Sequence, residues 1–360
     1  MSIDNDIKRL VRDEIRALSA YHVPDASGYI KLDAMENPYQ LPANLVDEWL
    51  NVLREVELNR YPDPGASSLK AELRKAMHIP ADMEVLLGNG SDEIIQMIIM
   101  ALAKPGATVL APEPSFVMYR MIALFCNMDY VGVPLNSDFS LDMATMRTAI
   151  EQHQPAVTFL AWPNNPTGNL FAEDDVLEII KRVPGIVVLD EAYTSFAGQS
   201  FMDRLGDYDN LVVMRTVSKS GLAGLRLGYL VGPAAWLNEF DKVRLPYNIN
   251  VLTQASAEFA LGHAEVLDAQ AAELRAARSE LFAALSAMEG VTSYESAANF
   301  ILFRVQAGQA GTIFESLKAQ NVLIKNMHPA GGMLEDCLRV TVSTPEENAA
   351  FLAALKASLV

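Results

Sequence analysis

Short apolar or β-branched runs recur along the first two thirds of the chain, at residues 85–87, 108–110, 130–133, 157–160, 186–189, 211–214 and 227–231. They are nearly continuous in apolar character, which predicts strands buried on both faces. Amphipathic helical stretches, such as 92–103, 142–151 and 173–181, lie between many of them. This alternation predicts an α/β fold, a large domain whose mostly parallel seven-stranded sheet lies between helices. After about residue 250 the texture changes. An Ala, Glu and Arg-rich segment at 252–288 predicts one long helix, 300–305, 322–325 and 338–342 predict strands, and a closing helix begins at Pro345. That is a smaller α+β unit. The pattern also predicts a helix over 3–18, packed on the smaller unit. The expected organisation is an N-terminal arm at 1–36, a large domain at 37–248 and a small domain at 249–360.

Composition agrees with a packed protein: 51% of the 360 residues are hydrophobic and 20% are charged, enough apolar surface for two cores. Lys and Arg number 28 against 45 Asp and Glu, a net charge of −17. Such a surface repels polyanions, so neither nucleic acid nor an anionic membrane is an expected partner. Cys126 and Cys337 stand far apart and outside any metal-ligand spacing, which predicts no disulfide framework and suits a reducing cytoplasm. The first ten residues lack the apolar core of a secretory signal. The longest apolar run, 94–103, is too short to cross a membrane. The five histidines form no metal-binding spacing, so no metal is expected. Nucleophile-elbow and nucleotide-triphosphate loop patterns are absent from the sequence.

In open α/β sheets ligands sit beyond the carboxyl ends of the strands, and here those ends are polar. The first strand leads into Gly88-Asn89-Gly90-Ser91-Asp92-Glu93 and then a helix. Glycines with a helix N-terminus suit a phosphate; a helix cap at Ser91 or Asp92 is the alternative. A dinucleotide-binding turn, and with it a nicotinamide-dependent oxidoreductase, is disfavoured because Glu93 would oppose a pyrophosphate. The fifth strand runs into Asp190-Glu191-Ala192-Tyr193, where Asp190 is either a buried anion or a turn cap. Lys219 follows a strand and precedes a Gly-rich stretch, with Thr216 and Ser218 beside it and Arg226 seven residues on. A lysine in a closed site can lose its proton and form a Schiff base, while hydroxyls and an arginine suit a phosphate.

The run Ser218-Lys219-Ser220-Gly221-Leu222-Ala223-Gly224-Leu225-Arg226-Leu227-Gly228-Tyr229 closely resembles the lysine signature of fold-type I pyridoxal-phosphate aminotransferases. Asn164-Asn165-Pro166-Thr167-Gly168 resembles the family's Asn-Pro-Thr-Gly turn, and Asp190-Glu191-Ala192-Tyr193 follows in the expected order. Within that superfamily, residues 32–39, 60–64 and 337–348 are similar to histidinol-phosphate aminotransferases. The resemblance runs from about residue 20 to the C-terminus. Aromatic aminotransferases and threonine-phosphate decarboxylases share many of these motifs. A non-catalytic regulator on the same fold is a further alternative, against which stand the acidity and the lack of a DNA-binding appendage.

The resemblance implies exchange of an amino group between L-histidinol phosphate and 2-oxoglutarate in histidine biosynthesis, with pyridoxal 5'-phosphate as cofactor. Lys219 would hold the cofactor and then move a proton between the substrate and the cofactor. Asp190 would pair with the pyridine nitrogen, and Asn165 and Tyr193 with the ring hydroxyl oxygen. Gly90, Ser91, Asp92, Ser218 and Arg226 would form the phosphate cup, with Thr216 beside it, and Phe116 would stack on the ring. Tyr61 would reach across the interface of a homodimer. Arg339 would receive the anionic end of the substrate, glutamate carboxylate or phosphate, with Lys325, Asn37 and Tyr21 as further substrate contacts. Two positions depart from the pattern: Ser220 replaces a bulkier apolar residue and Ser343 a glycine.

Overall fold

A computed structural model of the chain describes residues 2–20 and 24–359. The N-terminal segment forms two short helices, α1 (Ile3–Leu10) and α2 (Asp13–Arg16), rather than one helix over 3–18. Val11 and Arg12 between them are extended.

The large sheet has seven strands: β1 (Glu84–Asn89), β2 (Thr108–Glu113), β3 (Asp129–Pro134), β4 (Val157–Ala161), β5 (Ile186–Asp190), β6 (Leu211–Thr216) and β7 (Leu227–Gly232). Their order across the sheet is β1-β7-β6-β5-β4-β2-β3. Only β7 runs antiparallel to its neighbours, so the sheet is mostly parallel, as the apolar runs predicted. Every residue of β4, β5 and β7 is buried, because helices cover both faces and leave no side for polar alternation. Successive side chains point to opposite faces. Val187 and Leu189 join one core layer, and Ile186 and Val188 join the other. The layer holding Ile186 also contains residues of the helices α3 (Ser91–Leu102) and α4 (Met118–Phe125).

The expected helix over 252–288 is divided into α5 (Val251–Leu261) and α6 (Ala264–Ser286). The break falls at Gly262-His263, where His263 leaves helical geometry; glycine is the weakest helix former after proline. A second core packs α6 and the antiparallel strands β8 (Phe300–Arg304), β9 (Lys325–Asn326) and β10 (Cys337–Thr341) with the helices α7 (Ala310–Ala319) and α8 (Pro345–Ser358). The predicted strand at 322–325 is in fact two. Val322–Leu323 pairs in parallel with Ile30–Lys31, and β9 pairs with β10. Ser343, the departure noted above, is clamped to α8: its N–H donates to Asn348 Oδ1 at 3.0 Å, and its hydroxyl bonds Glu347.

The arm does not lie on the small unit throughout. Residues 30–31 join it, but Arg12 donates to the carbonyls of Leu124 (3.1 Å) and Phe125 (2.8 Å) and to Asn127 Oδ1 (2.9 Å), at the C-terminus of α4. The last carbonyls of a helix have no intrahelical donor and carry partial negative charge, so a guanidinium is drawn there. Among the described residues no helix is long and apolar enough to cross a membrane.

Candidate active site

The carboxyl ends of β4, β5 and β6 and the N-terminus of α3 converge on a cavity of about 110 Å³. Its lining includes Ser91, Asp92, Phe116, Asn165, Asp190, Tyr193, Thr216, Ser218, Lys219 and Arg226, ten of the positions singled out from the sequence. Met35, Ala161 and Ala192 complete it, and none of these three was named as a site residue from the sequence.

The alternation along β5 decides where Asp190 faces. It shares a side with Ile186 and Val188, the side occupied by Tyr119 and Phe159. Its Oδ2 accepts the Tyr119 hydroxyl at 2.6 Å and its Oδ1 the Ala192 N–H at 3.1 Å. Burial pushes the carboxyl up to about 6, against the downward pull of those two bonds.

Lys219 follows β6 in an irregular turn, Ser218–Leu222, whose Gly221 has φ +117. Its amine donates to the carbonyl of Ala34 at 3.0 Å. Burial first, and then the charge of Arg339, bring this amine down to about 8. Removing charged amine from water and placing a second cation nearby both disfavour the ammonium form. Glu36 and Asp92 oppose that shift only in part.

At the α3 end, Gly90 adopts φ +78, and a side-chain carbon there would lie 2.6 Å from Arg226 Nη2. One at Gly228 would lie 2.8 Å from the nitrogen of Ser91. The two glycines thus let β7, the first turn of α3 and Arg226 meet. Ser218 and Thr216 adjoin, with the Ser218 N–H donating to Thr216 Oγ1 at 3.1 Å. Glu93 faces away from this end, accepting the Asn89 N–H at 2.7 Å and the Asn248 amide at 2.8 Å.

Asn165 joins the two units. Its amide donates to the Tyr193 hydroxyl at 3.1 Å, and its Oδ1 accepts Arg339 Nη1 at 2.5 Å. Arg339 also donates to the carbonyl of Asp33 at 3.1 Å, and its guanidinium lies over the ring of Phe300. Lys325 is the direct cross-strand neighbour of Arg339, so the two cations share one face of the small sheet.

Other expected positions are arranged differently. Asn37 is outside the cavity lining: its amide donates to Gln270 Oε1 at 3.0 Å and reaches the Ser220 carbonyl at 3.4 Å, and its Oδ1 accepts the Tyr39 N–H. These bonds join the segment that follows the arm to α6 and to the turn after β6. Tyr61 is 81% exposed and stacks on Tyr247 at 4.5 Å, away from this chain's own cavity. Tyr21 lies outside the described residues. Tyr119, by contrast, was missed; the one cue was that a buried Asp190 requires a donor.

A buried amine brought down to about 8, a helix N-terminus beside a guanidinium and a buried carboxylate around one cavity are the groups that an enzyme working through a phosphorylated carbonyl cofactor would need. The chain belongs to the aminotransferase class I and II family, whose pattern matches residues 27–355. It is 57% identical over 351 residues to histidinol-phosphate aminotransferase 2 of Nitrosococcus oceani, covering 98% of both chains. It is likewise 57% identical over 363 residues to histidinol-phosphate aminotransferase 1 of Ralstonia nicotianae, covering 99% of this chain and 96% of that one. Among solved structures, the histidinol-phosphate aminotransferase of Sinorhizobium meliloti in complex with pyridoxal-5'-phosphate matches 96% of each chain with a TM-score of 0.86 and 23% identity, a likeness of fold.

The family depends on pyridoxal phosphate, and the residues present fit that group. The opening left by Gly90, with Arg226, Ser218 and the α3 N-terminus around it, suits a phosphate. A buried acid such as Asp190 would suit a pyridine nitrogen, and a buried amine such as Lys219 would suit an aldehyde.

Proposed function

We propose that the chain transfers an amino group between L-histidinol phosphate and 2-oxoglutarate, producing imidazole acetol phosphate and L-glutamate or running in reverse, as a step of histidine biosynthesis in the cytoplasm. The observation that carries this reading is the 57% identity to a histidinol-phosphate aminotransferase across 98% of the chain. Pyridoxal phosphate, when bound, supplies an aldehyde for the amine and a ring that delocalises the electron pair left by breaking the Cα–H bond. Lys219 would accept the proton from the substrate α-carbon and deliver it to the cofactor carbon adjoining the ring, the transfer that leaves the amino group on the cofactor. Asp190 holds a proton on the ring nitrogen. Asn165 and Tyr193 bond the ring hydroxyl oxygen. Phe116 stacks on the ring, and Thr216 supports Ser218 in the phosphate cup. In this reading residues 37–248 carry the cofactor, and 249–360 present the substrate contacts.

Arg339 receives the anionic end of either substrate, since a guanidinium fork fits carboxylate and phosphate alike. Lys325 adds a second positive charge beside it. Arg339→Gln is therefore expected to raise KM for both glutamate and histidinol phosphate by roughly 10–100-fold, the worth of a charge-assisted bond. Steady-state kinetics read the change, and an unaltered KM for both would remove Arg339 from the anion site.

A homodimer is part of the same proposal. Leu58, Tyr61 and Leu245 are more than two-thirds exposed, and Tyr61 stacks on Tyr247. Apolar side chains of this size on the surface suit contact with a second copy, to whose cofactor Tyr61 would reach. Substrate choice is tested by comparing single-turnover amino transfer from histidinol phosphate, phenylalanine and threonine phosphate. The expected order places histidinol phosphate first; slow transfer from it alone would overturn the substrate assignment while leaving the cofactor chemistry standing.

A further inference from the structure

Tyr119 lies outside the cavity lining, yet it is fully buried and hydrogen-bonded to the acid at the cavity floor. Its ring stacks on Phe159 at 4.7 Å and meets Phe116 edge-on at 5.6 Å. Packing alone would be satisfied by phenylalanine, whereas burying a phenol hydroxyl is costly unless it finds a partner. The hydroxyl has one, Asp190 Oδ2 at 2.6 Å. The backbone joins the two aromatic roles, because the Tyr119 N–H donates to the Phe116 carbonyl at 3.2 Å. One turn at the start of α4 therefore carries both the residue facing the cavity and the donor behind its acid.

We propose that Tyr119 is a positioning residue for the reaction: its hydroxyl keeps the Asp190 carboxylate ionised and aimed at the cofactor's ring nitrogen, and its ring backs Phe116. This rests on the reading of Asp190 as the partner of that nitrogen. The carboxylate needs such help because it is buried and has two other carboxylates near it. Asp92 on α3 and the adjacent Glu191 both disfavour its ionisation, in addition to its burial. Tyr193 also lies near it, and Lys219 and Arg226 line the same cavity. Of the two hydrogen bonds that oppose these effects, the one from Tyr119 contributes more than the one from the Ala192 N–H.

The test is the affinity of the apoprotein for pyridoxal phosphate, followed by absorbance titration from acid to neutral pH. Tyr119→Phe keeps both ring contacts and removes only the hydroxyl. It is expected to bind the cofactor about tenfold more weakly at neutral pH. Its acid limb, where protonated Asp190 no longer holds the ring nitrogen, is expected at higher pH than in the parent protein. Phe159→Leu provides the packing comparison: it lowers thermal stability but leaves the limb in place. A limb unmoved in Tyr119→Phe, or moved equally in Phe159→Leu, overturns the proposal. Asp190→Asn separates the two assignments. It abolishes the limb if Asp190 is the nitrogen's partner, and a limb retained there overturns the reading of Asp190 itself.

Discussion

Lys219→Ala is expected to abolish amino transfer, by about 10⁴-fold or more, because one side chain serves two purposes. In the proposed reaction it attaches the cofactor, and it moves the proton at the substrate α-carbon. The purified variant should lack the visible absorption band of a lysine-bound cofactor and should yield no covalent adduct after borohydride reduction. A borohydride-reducible bond surviving in the variant would show that another amine holds the cofactor. The environment of Lys219 also sets a pH dependence. With the amine at about 8 rather than 10.5, roughly a tenth of the molecules carry it neutral at pH 7, against about one in three thousand at the ordinary value. Only the neutral amine attacks an aldehyde, so the rate of cofactor attachment should rise with pH and level off above about 8. Arg339→Gln removes the second cause of the depression and should move that rise to higher pH.

Asp190→Asn is expected to lower kcat by roughly 10²–10³-fold, on the scale of removing one preorganised charge from a closed site. The amide nearly preserves shape but cannot hold a proton on the ring nitrogen, and without that positive charge the ring withdraws electrons poorly. The loss should appear in kcat more than in KM for glutamate, because the proposed contact for that substrate's carboxylate is Arg339 instead. Rapid-mixing measurement of the proton-removal step checks the expectation, and wild-type rates in the variant would exclude Asp190 from the chemistry.

Much of this site was legible in the sequence because its residues occupy places where local pattern and chemistry coincide. Asp190 ends an unbroken apolar run, Lys219 stands between a strand and a glycine-rich turn, and Ser91 follows a glycine turn at a helix start. Each signal lies within a few neighbouring residues. The limits are equally physical. The predicted helix at 252–288 missed its break at Gly262-His263, since apolar spacing continues on both sides of a residue pair that leaves the helix. The N-terminal helix was predicted to pack on the small unit, but the carbonyls that attract Arg12 belong to α4, more than a hundred residues away. Nothing near Asn37 in the sequence announced the bond of its amide to Gln270, 233 residues away.

Apolar periodicity was thus enough to establish the α/β class and the strands that deliver the site, while the resemblance to a known family singled out the lysine and acid at their ends. These are properties of adjacent residues, and burial of a strand depends mainly on its own side chains. Only the tertiary structure decided which polar groups meet. It set the Tyr119 hydroxyl, 71 residues from Asp190, against that carboxylate, and Asn165 against Arg339 across 174 residues. A buried polar group requires a partner but does not specify one, so the choice falls to the packing that brings distant segments together.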